Sequence, residues 1–319
     1  PFLSILVPAR NEAENLPRLI SSFAAQQYSS VELVVYDDLS DDATWDIIWE
    51  ASTISNGRIR GIKGGALPDG WVGKVNACHQ LAEAAQVNVF LFLDADMEFL
   101  NPNALQQIVS SKTKRKENSI ITGMPALRGN GKLLVYGVVH IILAAIPWWL
   151  HARIPWALFA GLNGQCWVID AETYRTHLPH RDVRNEVLED VMIGRYLYKV
   201  GLIPVLVDWQ NELAVHMYQS LPDAWSGFKK NSSSLLGPTS AIALATWTMF
   251  TALFVVAPIL NPLLYIIQIA AKFSKDRIMR QPFGLTLAVP VSFLLQSMVG
   301  LDSILARARG ELSWKGRTI

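Results

Sequence analysis

The chain has 319 residues, a formal net charge of +1 and 51% hydrophobic residues. So small a net charge gives no reason to expect a nucleic-acid partner. The two cysteines have no metal-ligand spacing, which argues against a zinc site or a disulfide framework. The hydrophobic excess is concentrated around residues 133–160 and after residue 238. Because the chain begins at Pro1 without Met, we expect it to be a fragment whose natural N-terminus is missing.

Strands and helices are predicted to alternate through the first hundred residues. Apolar runs predict strands at 2–7, 31–36 and 89–93, and residues 59–63 could form a third strand in the chain order. Apolar periodicity predicts a helix at 15–27, and further helices are expected at 44–52 and 74–85. This alternation favours right-handed crossovers and a mostly parallel sheet with flanking helices, which is an α/β fold.

Polar clusters follow three of these strands, and ligands of parallel sheets bind at the carboxyl ends of strands. Two carboxylates where a buried strand emerges are costly unless positive charge lies against them. A divalent cation carrying a diphosphate would supply that charge, whereas solvated acids at a strand end are the simpler alternative. The glycine-rich motifs of dinucleotide and P-loop sites are absent from the sequence. The three clusters are Arg10-Asn11-Glu12, Asp37-Asp38 and Asp94-Ala95-Asp96.

Lys74 follows Gly73 at a predicted helix start. Its ammonium group and the helix N-terminus would both suit a phosphate. The alternative is an ordinary surface lysine.

The next segments are less regular. Residues 119–124 predict a strand, and residues 132–158 predict an apolar helix lying in a membrane interface, with Trp148, Trp149 and Trp156 at headgroup level. A buried core helix is the alternative. Glycines at 161 and 164 would let the backbone approach a sugar or acceptor closely.

The pair Glu189-Asp190 stands between apolar residues in a segment that predicts a helix running to about residue 200. Acids in a first turn also complement the helix dipole, which is the alternative explanation of the pair.

The last eighty residues predict membrane helices. Residues 239–271 carry no charge, and one straight helix of that length would reach ~50 Å, against a ~30 Å hydrocarbon core. Pro258 and Pro262 allow either a kinked span or a tight hairpin, and residues 284–301 form a second uncharged stretch. Basic residues at 272–280 and 307–317 both favour the cytoplasmic side, so we expect part of this region to be re-entrant or interfacial.

Four motifs in a fixed order resemble family 2 glycosyltransferases, which have the GT-A fold. The motifs are VPARNEAENL (7–16), YDDLSDDAT (36–44), GWVGK (70–74) and DAD (94–96). The segment LPDGWVGKVNAC (67–78) and the terminal WKGR (314–317) resemble a membrane-associated subgroup that includes carotenoid- and hopanoid-associated enzymes. The resemblance covers residues 2–230 and is less specific in the tail. Leu39 departs from it, because the family usually has Gly there.

The resemblance implies roles for the matching residues. Asp190, with Glu189, would supply the catalytic base that deprotonates an acceptor hydroxyl, which then attacks the anomeric carbon in line. Residues expected near the acceptor are Gly164, Gln165, Tyr218 and Trp225, the last two being alternatively an interfacial aromatic belt. The donor residues are Pro8, Arg10 and Glu12 around the nucleotide, Asp37 and Asp38 at its base, Lys74 at the diphosphate, Asp94 at the ribose or metal, and Asp96 at a Mn²⁺ or Mg²⁺ ion.

The sequence therefore predicts a multi-pass cell-membrane enzyme with a cytoplasmic catalytic domain (1–235) and a membrane-embedded region (236–319). It would move a sugar, with inversion, from a UDP-sugar to a lipid or polyprenoid acceptor. A processive polysaccharide synthase is an alternative, but the Q-x-x-R-W motif is absent because no Arg lies between Gln219 and Trp225. A sugar-nucleotide nucleotidyltransferase would leave the apolar tail unexplained, and a non-catalytic scaffold would not need acids at 38, 94, 96 and 190.

Overall fold

The computed structural model describes residues 1–115, 119–145, 160–314 and 317–318. Residues 1–128 and 148–216 group into one compact unit, and residues 129–147 and 217–319 into a second. The expected domain limits, 1–235 and 236–319, remain a proposal, and they place residues 129–147 and 217–235 differently from this grouping. Trp148, Trp149 and Trp156 lie outside the described residues, as does the second half of the predicted interfacial helix.

The first unit is built around one large sheet. The described strands run in the order β3-β2-β1-β4-β8-β6-β9, and all neighbours are parallel except that β8 is antiparallel to both β4 and β6. This confirms the predicted mostly parallel sheet. These strands are β1 (Leu3–Ala9), β2 (Val31–Asp37), β3 (Ile59–Lys63), β4 (Val89–Leu93), β6 (Ile120–Met124), β8 (Cys166–Asp170) and β9 (Pro204–Asp208).

Helices connect and cover these strands. Leu16, Leu19 and Phe23 form the buried face of the first helix, so its apolar period matches the face it packs. The described helices of this unit are α1 (Leu16–Ala24), α2 (Thr44–Ile54), α3 (Gly73–Ala84), α4 (Ala104–Thr113), α6 (Ala171–His177), α7 (Pro179–Asp182) and α8 (Glu189–Lys199).

The strand order creates a topological switch point beside β1. The chain passes from β1 to β2 and β3 on one side, and then returns to β4 on the other side. Connections therefore leave the carboxyl ends of β1 and β4 in opposite directions, and the crevice between them is where ligands of such sheets bind. Below this edge the sheet is mostly apolar, and Leu6, Phe90 and Phe92 are at most 2% exposed.

A second, three-stranded sheet of short strands supports one side of that crevice. It has the order β5-β10-β7, with strands β5 (Met97–Phe99), β7 (Ala126–Arg128) and β10 (Leu213–His216). Because β5 starts one residue after Asp96, this sheet fixes the end of the Asp94-Ala95-Asp96 segment.

The second unit is helical. Two of its described helical stretches, Ser240–Leu260 and Val289–Arg309, are long and apolar enough to cross a membrane. Its described elements are α5 (Lys132–Ala145), α9 (Leu221–Leu236), α10 (Ser240–Thr251), a π-helical segment (Ala252–Val256), α11 (Ala257–Leu260), α12 (Pro262–Ile278), α13 (Phe283–Leu287), α14 (Val289–Arg309) and a short ribbon of β11 (Ser313–Trp314) with β12 (Arg317–Thr318).

The stretch after residue 239 folds back on itself at Asn261. Pro258 has no N–H for the carbonyl of Phe254, and the helix widens to a π turn just before it. The side-chain amide of Gln268 donates to that carbonyl instead, at 3.0 Å. Fourteen residues of continuous helix would span ~21 Å, so this contact requires a reversal of the chain. Of the two predicted arrangements, the tight hairpin is the one observed.

Helix α14 buries polar residues together with apolar ones such as Val289 and Phe293. Ser292, Gln296 and Ser303 are at most 9% exposed, whereas Leu294 is 47% and Met298 is 50% exposed. A helix in water buries its apolar stripe and exposes its polar one. Buried serines and glutamine beside exposed leucine and methionine are instead typical of helices that pack together in lipid through small and polar residues.

Candidate active site

Residues predicted for the site converge on a narrow cavity at the switch point. Pro8 comes from the end of β1, Asp94 from the end of β4, Lys74 from the first turn of α3, and Glu189 and Asp190 from the first turn of α8. The cavity has room for about one water molecule. Three elements that are far apart in sequence, β4, α3 and α8, thus supply its charged lining.

Lys74 joins two acids of this lining. Its Nζ lies 2.8 Å from Asp94 Oδ1 and 3.2 Å from Glu189 Oε1. Burial lowers the pKa of Lys74, but attraction to Asp94 and then to Glu189 outweighs it, so its pKa stands well above the ordinary value. Lys74 is therefore a permanent cation at this site and not a simple surface lysine.

Asp190 is held beside this ion-pair cluster by backbone donors. The N–H of Val191 donates to its Oδ1 at 2.8 Å, and the N–H of Gly164 lies 3.4 Å from its Oδ2. Burial, followed by the negative charge of Glu189, raises the pKa of Asp190 to about 6, although Lys74 and the two N–H groups act against that rise. A carboxylate with such a pKa is ionised at neutral pH and still basic enough to take a proton.

Gly164 is required here because Asp190 packs against it. A side-chain Cβ at position 164 would lie 2.9 Å from the Cβ of Asp190. The predicted reason for this glycine was close approach of a sugar or acceptor; the described contact is instead with the candidate base. Gln165 also contributes through its backbone, since its carbonyl accepts from the N–H of Asp94 at 3.0 Å.

Asp96 is tied to the smaller sheet. Its carbonyl accepts from the N–H of His216 at 2.9 Å. Glu98 is the middle residue of β5. Its carboxylate lies 2.7 Å from the His216 ring and 3.2 Å from the guanidinium of Arg128. This polar cluster fixes β5 against β10 and β7, and with them the backbone of Asp96.

The loop after β2 is organised by Arg10. Its guanidinium donates to the carbonyls of Asp38 at 2.6 Å and Leu39 at 2.9 Å, and Asp37 Oδ1 accepts from the N–H of Ser40 at 3.2 Å. Leu39 has φ +54°, in the left-handed region that favours glycine. Position 39 therefore has the backbone conformation that suits the glycine usual in the resembled family, although the residue here is leucine.

Glu12 lies in the neighbouring loop. Its N–H donates to Thr44 Oγ1 at 2.8 Å, and its carboxylate accepts from the side chain of Asn15, also at 2.8 Å. These contacts join the loops after β1 and β2, on which the predicted nucleotide-binding residues stand.

Two residues expected near the acceptor, Tyr218 and Trp225, belong to the second unit. The indole N–H of Trp225 donates to Asp302 Oδ2 at 2.8 Å. The ring of Tyr218 packs against Phe228 with 5.4 Å between centroids. Their contacts in the second unit do not test the acceptor role, which stays a prediction.

His180 also lines this cavity, although it was not among the residues predicted for the site. Its Nδ1 lies 2.7 Å from the hydroxyl of Tyr174, and its ring packs against Phe92 and Trp167. Burial lowers the pKa of His180 to about 3, so the ring is neutral. No motif surrounds it, and its place depends on the antiparallel strand β8, which the sequence pattern did not reveal as such.

The donor set of the site fits a hard divalent cation. Among the described residues, no group of three or more His, Cys, Asp or Glu side chains could hold a metal ion by itself. Mg²⁺-like ions, however, usually take only one or two protein carboxylates and complete their shell with water and substrate phosphates. Asp94 and Asp96 offer such oxygens, and the Asp94 side chain is 24% exposed although it also binds Lys74.

Comparisons with known proteins agree with this geometry. Residues 4–136 match the model of glycosyl transferase family 2. The 4,4'-diaponeurosporenoate glycosyltransferase of Staphylococcus haemolyticus is 32% identical over 258 residues, and that of Staphylococcus aureus (strain USA300) is 28% identical over 250. Both alignments cover 77% of this chain, which spans only 65% of the length of these relatives.

Solved structures share the fold at low sequence identity. The mannosyltransferase PcManGT from Pyrobaculum calidifontis, solved with GDP-Man and Mn²⁺, has a TM-score of 0.59 at 12% identity, over 99% of this chain and 88% of that one. Glucosyl-3-phosphoglycerate synthase from Mycobacterium tuberculosis, solved with Mn²⁺, UDP and glucosyl-3-phosphoglycerate, has a TM-score of 0.50 at 18% identity, over 73% and 78%. The predicted GT-A fold is thereby confirmed. The family match and the relatives support a family 2 glycosyltransferase, and over three quarters of its length the chain resembles the carotenoid-associated members of that family.

Proposed function

We propose that this chain transfers a sugar from a nucleoside diphosphate sugar, a UDP-sugar, to a lipid-soluble acceptor at a membrane surface, with inversion at the anomeric carbon. The observation that carries the proposal is the Lys74 bridge between Asp94 and Glu189, next to Asp190. One cation and three carboxylates at the switch point of a GT-A sheet suit a diphosphate donor and a base-assisted acceptor.

The proton of an acceptor hydroxyl goes to Asp190. The hydroxyl oxygen attacks the anomeric carbon as the bond from that carbon to the diphosphate oxygen breaks, and Asp190 takes the proton in the same step. General-base assistance of this kind contributes about 10²–10⁴-fold to the rate. Burial, and after it the negative charge of Glu189, keeps the pKa of Asp190 raised. Glu189 thus pairs with Lys74 and also supports Asp190 as the base.

Lys74 acts on the donor side. Its Nζ gives up part of its pairing with Asp94 and Glu189 to the diphosphate, whose negative charge grows as the bond breaks. Asp94 and Asp96 would hold a Mn²⁺ or Mg²⁺ ion, which when bound stabilises the departing diphosphate by charge. Pro8, Arg10, Glu12, Asp37 and Asp38 frame the nucleoside.

The acceptor is apolar for two reasons. The relatives are named for 4,4'-diaponeurosporenoate, and the second unit carries its apolar side chains outward. The enzyme therefore works at a cell membrane, with the sheet unit on the cytoplasmic side. A carboxylate acceptor, as that name implies, would form a sugar ester and would bring no proton to remove. The need for Asp190 then distinguishes the two acceptor classes.

The test is a transfer assay with purified protein, Mn²⁺, radiolabelled UDP-glucose and a bacterial carotenoid and lipid extract. We expect UDP release together with label in the organic phase, and the loss of both with Asp96→Ala. Long polymeric products would instead support a polysaccharide synthase. Absence of UDP release with a panel of nucleotide sugars would refute the proposal.

A further inference from the structure

A second group of polar side chains lies inside the helical unit. Ser292 and Gln296 stand one turn apart on α14, and His140 stands on α5. Their exposed fractions are 1%, 9% and 8%. None of the three takes part in the sugar-transfer chemistry proposed above.

Residues 137 and 140 of α5 lie against residues 292, 293 and 296 of α14. A Cβ at Gly137, one turn before His140, would lie 2.0 Å from Gln296 Nε2 and 3.2 Å from the Cβ of Ser292. The missing side chain at position 137 therefore admits the Gln296 amide. The His140 ring packs edge-on against Phe293, the neighbour of Ser292, with 5.8 Å between centroids.

Four polar atoms of this group have no hydrogen-bond partner among the described residues. They are His140 Nδ1, Ser292 Oγ, and both Nε2 and Oε1 of Gln296. Buried polar groups in folded proteins are hydrogen-bonded in the great majority of cases. A buried group without a partner has lost its hydrogen bonds to water and has gained none in the protein. Four unpaired atoms around one helix contact are the pattern of a binding site for a polar group.

The atoms define the ligand chemistry. A glutamine amide and a serine hydroxyl both donate and accept, so they suit a group that does the same, namely a hydroxyl or a carboxylic acid. The adjoining surface is aromatic, since Phe293 packs against Phe250 at 5.8 Å and Phe254 at 5.4 Å. Phe254 is 40% exposed, so this aromatic cluster reaches from the buried polar group to the outer, apolar face.

We propose that His140, Ser292 and Gln296, with Gly137, form a binding site for the hydrogen-bonding end of a long-chain apolar molecule. The apolar chain of the ligand packs along Phe250, Phe254 and Phe293. The inference concerns binding alone and stands whether or not the chain transfers a sugar.

Photolabelling tests the site on the full chain in detergent. The probe is a long-chain fatty acid carrying a diazirine, compared with the same diazirine hydrocarbon without the carboxyl group; oleic acid and oleyl alcohol serve as competitors to distinguish acid from hydroxyl. We expect the acid probe to label peptides around residues 137–140 and 292–296. Gln296→Met, which keeps the side-chain length, should lower that labelling about tenfold, as should Ser292→Ala. Gln107→Met, on the exposed face of α4, should leave it unchanged.

Equal labelling by the headless hydrocarbon, or unchanged labelling of Gln296→Met and Ser292→Ala, would overturn the proposal, as would no labelling of the unmodified chain. Thermal unfolding without probe supplies a second criterion. Removing an unpaired buried amide should hold or raise the melting temperature of Gln296→Met. A clear drop would mean that the amide is already paired inside the protein, and would also count against the site.

Discussion

The two units of this chain place their polar groups by opposite rules. In the sheet unit the interior is apolar, with Leu6 and Phe90 fully buried, and charges gather at one edge of the sheet. In the helical unit the long helix α14 buries serines and a glutamine, whereas Leu260 and Ile259, at the end of the other long helix, are 79% and 76% exposed. The difference teaches that the two units bury different kinds of side chain, and the pattern of the helical unit is the one typical of helices that pack together in lipid.

The ion pairs of the two units differ in how far they are buried. Lys272 and Asp276 of the helical unit are 1% and 4% exposed, with Nζ–oxygen distances of 2.7 and 2.8 Å, and Thr286 donates to the same carboxylate at 2.6 Å. Lys74 of the sheet unit is 37% exposed at its side chain and shared between two acids. The first arrangement is internally satisfied and structural, and the second is open to a charged ligand.

The largest expected effect lies at the charged edge of the sheet unit. Asp190→Asn should lower kcat by about 10²–10⁴-fold with a hydroxyl acceptor, because the amide cannot accept the proton. Donor binding, followed by thermal shift with UDP-sugar and Mn²⁺, should survive. The matched control is Asp46→Asn on the exposed surface of α2, which should behave as the unmodified enzyme.

The pH profile of kcat sharpens the same point. Asp190 acts only when deprotonated and its pKa is raised to about 6, so kcat should fall about tenfold per pH unit below that value. Glu189→Gln removes the charge that raises this pKa, and the acidic limb should then move to lower pH. A profile that stays flat down to pH 4 would contradict the role of Asp190.

Gly164→Ala should cost about 10²-fold in kcat, because the added methyl group displaces Asp190 and misplacement by about 1 Å is enough for such a loss. Gly65→Ala is the control, since a Cβ there meets nothing within 4 Å. Steady-state kinetics of the two variants decide the matter. Equal activity would mean that Asp190 tolerates the shift.

In the helical unit the expected effects are on stability. Gln268→Leu should lower the free energy of unfolding in detergent by about 1 kcal/mol, because the carbonyl of Phe254 loses its donor. In a Pro258→Ala background the new N–H of residue 258 can take that carbonyl, so the loss should largely disappear. A double-mutant cycle measures this coupling, and additive effects would contradict it.

The smallest effect is expected at Leu39. Glycine relieves the left-handed strain but adds freedom to the unfolded chain, so Leu39→Gly should raise the free energy of unfolding by about 1 kcal/mol or less. Asn56→Gly is the control, because asparagine already tolerates its φ of +51°. Equal gains at both positions would mean that leucine carries no particular strain.

Local pattern predicted the first half of the sheet closely. The segments 59–63 and 89–93, predicted as strands, are strands β3 and β4 with those bounds. Strands β5, β7, β9 and β10 were not predicted, because runs of three to five residues carry too little periodicity to be recognised. The orientation of β8 could not be read either, since β4, its antiparallel partner, lies more than seventy residues earlier in the chain.

The sequence by itself determined that acids follow buried strands at 37, 38, 94 and 96, and that the last eighty residues are apolar enough for lipid. Both properties are local, because an apolar segment and the charged residues that end it are consecutive in the sequence. Only the tertiary structure decided that Lys74 bridges Asp94 and Glu189. It also decided that Gly164 makes room for Asp190, and that α14 buries its serines and glutamine. Those facts depend on which elements pack together, and contact between distant segments is fixed by the whole fold.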